Sequence, residues 1–167
     1  GDGVGSFGGS QGAVAEYALL TAPELRLDRV DLARRLAGAA DASPRLFAFP
    51  AQSNFSGVRH PLELVSEAHA LGWDVLLDAA AFVPTSRLDL TAVRPEFVTV
   101  SFYKMFGYPT GVGCLLVRRT ALARLVRPWF AGGTVNFATV QGRAHLLTPG
   151  EAGFEDGTLN FASIPAV

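Results

Sequence analysis

Three short apolar runs, interleaved with stretches of helical period, constrain the fold of this chain more than any other feature. The runs are Arg45 to Pro50, Trp73 to Leu77 and Phe97 to Phe102. Each is too short for a helix and lacks the clean alternation of a strand with one face in water, so each reads as a strand buried in a sheet. Asp28 to Ala40 carries Val30, Ala33, Leu36, Ala37 and Ala40 at helical spacing, with Asp28 placed as N-cap. His60 to Leu71 repeats the pattern with Leu62, Val65, Ala68 and Leu71, opens with Pro61 in its first turn and stops at Gly72. The expected fold class is α/β, a mostly parallel sheet with helices on both faces and parallel order for at least these three strands.

The rest of the chain is read in the same way. Cys114 to Val117 is a fourth strand, and Ala79 to Arg94 is irregular between Pro84 and Pro95. Tyr103 to Gly113 is a glycine-rich loop, and Ala131 to Thr134 is a Gly-Gly turn. Helices are expected from Gln11 towards Leu20, over Thr120 to Val126 and over Ala138 to Leu147. Gly1 to Gly12 is a loop, and Gly153 to Val167 a loop leading into a helix or interface.

Composition removes several function classes. A formal net charge of −1 over 167 residues lacks the basic footprint of a nucleic-acid binder. The longest apolar runs are too short to cross a bilayer, so no membrane partner is expected. One cysteine, Cys114, excludes an internal disulfide framework, and three scattered histidines form no metal cluster. No signal-peptide pattern is present, and a cytoplasmic location is expected. The chain opens Gly1-Asp2-Gly3 without Met, which suggests a piece of a longer protein.

The polar residues fall at matching places. Asn54 lies just past the first strand, Asp78 closes the second, and Ser101 and Lys104 stand at the end of the third. Open α/β sheets bind ligands outside the carboxyl ends of their strands, so an amide, a carboxylate and an amine share one rim. Lys104 is also the single lysine beside thirteen arginines. Only lysine can shed its proton and act as a nucleophilic amine, and Phe102, Tyr103, Met105 and Phe106 strip it partly of water. Singly, each of these residues also fits a plain structural role: a snorkelling or cation–π lysine, an aspartate cap, an asparagine turn. Gly3-Val4-Gly5-Ser6-Phe7-Gly8 is a literal G-x-G-x-x-G, a weak signal that reads as a dinucleotide site only with a strand before it.

Taken together, Leu76 to Thr85, Leu88-Asp89-Leu90, Phe97-Val98 and Ser101 to Gly113 resemble class V aminotransferase-like proteins that use pyridoxal 5′-phosphate. Within that class they are most similar to the sulfurase domain of molybdenum cofactor sulfurases, which is cysteine desulfurase-like. Gly132 to Val135 and Phe154 to Thr158 extend the likeness, which runs from about Ala48 onward. The resemblance implies a fold-type I large domain, with residues 1–150 part of the cofactor-binding domain and 151–167 the start of a connection to a C-terminal small domain. It implies that Lys104 holds the cofactor as a Schiff base and that Asp78 pairs with the pyridine nitrogen. Ala80 would pack on the ring, Asn54 lie near the ring hydroxyl, Ser101 bind phosphate, and Thr134 reach the phosphate of a neighbouring subunit in a homodimer. The implied substrate is an amino acid, L-cysteine, with sulfur passing to an acceptor protein or to the molybdenum cofactor.

The chain departs from ordinary cysteine desulfurases at Tyr103, where they often have His, and at Ala81, where they often have Gln. The family's phosphate loop and ring-stacking residue would precede Gly1, and its substrate-carboxylate Arg and persulfide Cys would follow Val167, so little desulfurase activity is expected of the chain alone. Cys114 does not match the persulfide cysteine and reads as a small buried hydrophobe. Another class V enzyme (an aminotransferase, epimerase or lyase) and a non-catalytic remnant of the fold remain alternatives.

Overall fold

A computed structural model describes residues 14–39, 43–107, 110–127, 132–142 and 144–167. The loop at 1–12 and the G-x-G-x-x-G lie outside them.

Four strands form the central sheet: β3 (Leu46–Pro50), β4 (Asp74–Asp78), β5 (Phe97–Ser101) and β6 (Gly113–Val117), in that order. Before them in the chain come two short strands, β1 (Leu20–Thr21) and β2 (Arg26–Leu27), paired with each other. β3, β4 and β5 run parallel as expected, whereas β6 runs antiparallel to β5. The reversal needs no crossover helix, and the chain turns back through α3 (Tyr103–Phe106) and the glycines that follow it. The expected loop after β5 therefore opens with one helical turn. Gly107 closes that turn at φ 77°, a left-handed position that suits a residue without Cβ.

One core cluster holds these elements together. Phe47 and Phe49 of β3, Val75 and Leu77 of β4 and Val98 of β5 meet Leu32 and Leu36 of α1 (Arg29–Gly38) and Leu64, Val65 and Ala68 of α2 (Leu64–Ala70). The alternate residues Leu46 and Ala48 of β3 are exposed, so this strand does alternate once folded. The Trp73 indole Nε1 donates to Leu36 O at 3.0 Å and ties α1 to the entry of β4.

Asp28 caps α1 as its position predicts: Oδ1 accepts from Val30 N at 2.9 Å and Asp31 N at 3.0 Å. Asp28→Ala is expected to cost about 1 kcal/mol, seen as a lower urea midpoint with an unchanged slope. Asp31 accepts from Arg34, Arg35 and the Leu19 amide. The Arg35 bond and the Leu19 amide lead in holding its carboxyl down at about 2.

At the amino edge of the sheet, Glu96 is a buried hub between three elements. Its Oε2 lies 2.9 Å from His69 Nε2 and accepts from Val75 N at 2.9 Å, while Oε1 faces Arg118 Nη1 at 3.2 Å. The carboxylate thus joins α2, β4 and the end of β6 from the residue that precedes β5.

Two expectations fail. Ala138 to Leu147 is not a helix: β7 (Val135–Ala138) and β8 (His145–Leu147) pair antiparallel. Thr139 closes the hairpin, its N and Oγ1 donating to Ala144 O at 3.0 and 3.1 Å, which gives the backbone a local alternative to helical bonds. No helix forms over residues 14–20 either, because Leu20 enters β1; residues 11–13 lie outside the described residues. The helix read over Thr120 to Val126 shortens to α4 (Arg119–Leu122), and the tail holds two single 3-10 turns, Glu151–Phe154 and Ile164–Ala166.

Candidate active site

Parallel strands place their following loops on one rim, and the register fixes which residues meet there. Pro50 pairs with Asp78, and Asp78 with Thr99, so β3 and β4 end level with each other and β5 runs two residues further, to Ser101. Asn54 sits four positions past β3, Asp78 ends β4, and Ser101 ends β5 with Lys104 in the turn behind it.

The structure brings the amide and the amine together. Lys104 Nζ donates to Asn54 Oδ1 at 2.8 Å, although the two residues are 50 positions apart in sequence. The ammonium also stands 5.9 Å from the centre of the Tyr103 ring, and the flanking Phe102 and Phe106 rings stack on each other at 6.5 Å. Lys104 is half-buried, and among the described residues no carboxylate pairs with it.

Asp78 is exposed at the rim and oriented from beneath. Its Oδ1 accepts from Ala80 N at 3.0 Å and from Thr99 Oγ1 at 3.1 Å. Among the described residues Oδ2 has no partner, which leaves one carboxylate oxygen for a ligand N–H. Thr99, which orients Asp78, is a member of this candidate site that the sequence reading missed. The signal was its position two before Ser101, on the same face of a strand laid beside Asp78.

Ala80, two residues after this carboxylate, is buried to 8% exposure. Ser101 faces Gly113 across the β5–β6 ladder, and its hydroxyl bonds to none of the described residues. A Cβ at Gly113 would stand 2.6 Å from Val100 O, so only glycine lets β6 approach the end of β5 this closely. Thr134 stands apart from this group: it is fully buried, precedes β7 outside the four-stranded sheet, and accepts from Thr148 N at 2.9 Å through its backbone oxygen.

Two further groups define what the site does not use. Cys114 is half-buried rather than buried as expected, and its partial burial pushes the thiol up, away from the reactive thiolate. His60, buried after β3, is pushed down from its ordinary 6.5 by burial and by the positive Arg26. A histidine kept neutral in the fold stabilises it fully above its unfolded value and loses that contribution as pH falls below about 6.5 towards the folded value. His60→Gln is therefore expected to flatten the drop in urea midpoint between pH 7.5 and pH 5.5.

The donor set fits pyridoxal phosphate: a free carboxylate oxygen for a pyridinium N–H, a small side chain beside it, an unpaired hydroxyl for phosphate and an amine for the aldehyde. Comparison with known proteins agrees. The profile described as Aminotransferase class-V matches residues 23–167, and the chain belongs to this family. Family members use pyridoxal phosphate, and the sheet with its helices is part of a fold-type I domain.

Among curated relatives, molybdenum cofactor sulfurase 3 of Aedes aegypti is 49% identical over 131 residues, covering 73% of this chain and 17% of the relative. Among solved structures, the apo cysteine desulfurase of Thermococcus onnurineus superposes with a TM-score of 0.69 at 29% identity, covering 84% of this chain and 34% of that one. A cysteine desulfurase of Escherichia coli gives 0.68 at 25% identity, covering 86% and 34%. The chain thus spans about a sixth of that curated relative and a third of the solved desulfurases.

Proposed function

We propose that this chain is the cofactor-binding portion of a pyridoxal-phosphate-dependent cysteine desulfurase of the molybdenum cofactor sulfurase type. The observation that carries the reading is Lys104 Nζ held 2.8 Å from Asn54 Oδ1, on the rim where Asp78 ends the neighbouring strand. When bound, the cofactor supplies an aldehyde for amine capture and an electron-withdrawing ring.

The chain's own residues do the rest. Lys104 would provide the amine that holds the cofactor and would hold or move a proton at Nζ. Asp78 would hold the ring nitrogen and its proton, while Thr99 and the Ala80 amide hold Oδ1 still. Ala80 would admit the ring by its small size, Asn54 would orient the ring hydroxyl, and the Ser101 hydroxyl would hold the phosphate. L-Cysteine is the substrate: its sulfur passes to an acceptor thiol as a persulfide and alanine is released.

A sulfur-acceptor protein or the molybdenum cofactor receives the sulfur in turn. A homodimer is the working form; the buried Thr134 is not placed to serve a neighbouring subunit's phosphate as the resemblance implied. Residues 1–150 form part of the large domain, and 151–167 lead toward a small domain.

The test is chemical capture. A complete protein carrying this site is incubated with pyridoxal phosphate, reduced with borohydride, digested and mapped by mass. The expected tag lies on Lys104, and a tag elsewhere overturns the reading.

A further inference from the structure

Asn54 lies at the exposed tip of a hairpin running from Ala51 to His60, and its amide reaches Lys104 only if that tip is held. The root is fixed, because Ala51 N donates to Asp78 O at 2.8 Å and His60 N to Ala51 O at 3.0 Å. The tip closes on itself: Ser53 N donates to Val58 O at 2.8 Å, Gly57 N to Ser53 O at 2.9 Å, and Ser53 Oγ accepts from Phe55 N and Ser56 N. None of these bonds aims the tip at Lys104.

Among the described residues, two side chains of the hairpin hydrogen-bond outside it. One is Asn54 itself. The other is Arg59, whose Nη2 donates to Thr85 Oγ1 at 3.3 Å while its Nε donates back to Gln52 Oε1 at 3.0 Å. The same guanidinium lies 5.8 Å from the centre of the buried Phe82 ring. Phe82 and Thr85 belong to the segment that leaves β4 through Asp78 and Ala80. One planar fork therefore spans the two loops that carry Asn54 and Asp78. Its hydrogen-bond partners are neutral, so these contacts set geometry and do not neutralise charge. An ammonium lacks the rigid fork that satisfies both sides at once.

We propose that Arg59 is a positioning residue, strapping the Asn54 hairpin to the segment after β4 so that the Asn54 amide stays against Lys104. Its effect on the cofactor rests on the reading of Lys104 above; the strap itself is a property of the ligand-free chain.

Two variants test it, Arg59→Lys, which keeps the charge, and Thr85→Val, which removes the far anchor. In the ligand-free chain, the Ser53 and Gly57 amides are expected to exchange hydrogen about fivefold faster in both variants, the equivalent of one lost hydrogen bond. The unfolding midpoint should stay unchanged, since both side chains are exposed. With pyridoxal phosphate added, both variants are expected to bind it about fivefold more weakly and to shift the pH at which its bound absorption changes. Wild-type exchange in both variants overturns the strap, and faster exchange with a wild-type absorption titration overturns the positioning role. If borohydride tags another residue, the cofactor reading falls and the exchange measurement alone decides the strap.

Discussion

Lys104→Arg is expected to abolish borohydride tagging by pyridoxal phosphate and to lower L-cysteine turnover by a protein carrying this site by at least about 10²–10⁴-fold. The variant keeps the positive charge and a donor long enough to reach Asn54, so the unfolding midpoint should hold. It removes the one property the proposal needs, because a guanidinium does not lose its proton and so offers no nucleophilic amine. Retained tagging of such a protein would place the reactive amine elsewhere and sink the assignment outright.

Glu96→Ala should have the largest effect on stability. Glu96 is 7% exposed, and its removal leaves His69, the Val75 amide and Arg118 without their shared acceptor. Breaking a buried charged network by deleting one member costs about 3–5 kcal/mol, a large share of the roughly 5–15 kcal/mol that holds a typical domain folded. The expected readout is a fall in melting temperature of roughly 6–20 °C for a chain of this size. Glu96→Gln keeps an acceptor for Val75 and should lose less. Tagging of Lys104 should persist in whatever fraction stays folded, because Glu96 and Ser101 lie at opposite ends of β5, about 16 Å apart along an extended strand. Equal stability of Glu96→Ala and the wild type would mean that water replaces the carboxylate at no cost.

Much of this arrangement was legible in the sequence because two periodicities and an order sufficed. Short apolar runs between helical stretches give parallel strands, and parallel strands put whatever follows each of them on one rim. Asn54, Asp78 and Lys104 follow from that alone, and Asp28 follows from its place before an apolar helical stripe. The hairpin of β7 and β8 was not legible. Phe137, Leu146 and Leu147 fit a helical spacing as well as a strand, and it is the Thr139 closure that selects the ladder. Glu96 was passed over because its partners lie on α2 and beyond β6, 27 positions back in the case of His69. Arg59 and Thr99 were missed for the same reason: each matters through a neighbour that only the folded register supplies.

The placement of Glu96 has a consequence for how such a chain can change over time. The ionic knot sits at the starting ends of β4 and β5, and Asn54, Asp78 and Lys104 sit at or past the finishing ends of the parallel strands. Substitutions that retune one end leave the other in place. A lineage can therefore exchange its chemistry without rebuilding its foundations, or harden those foundations against heat without altering what it turns over.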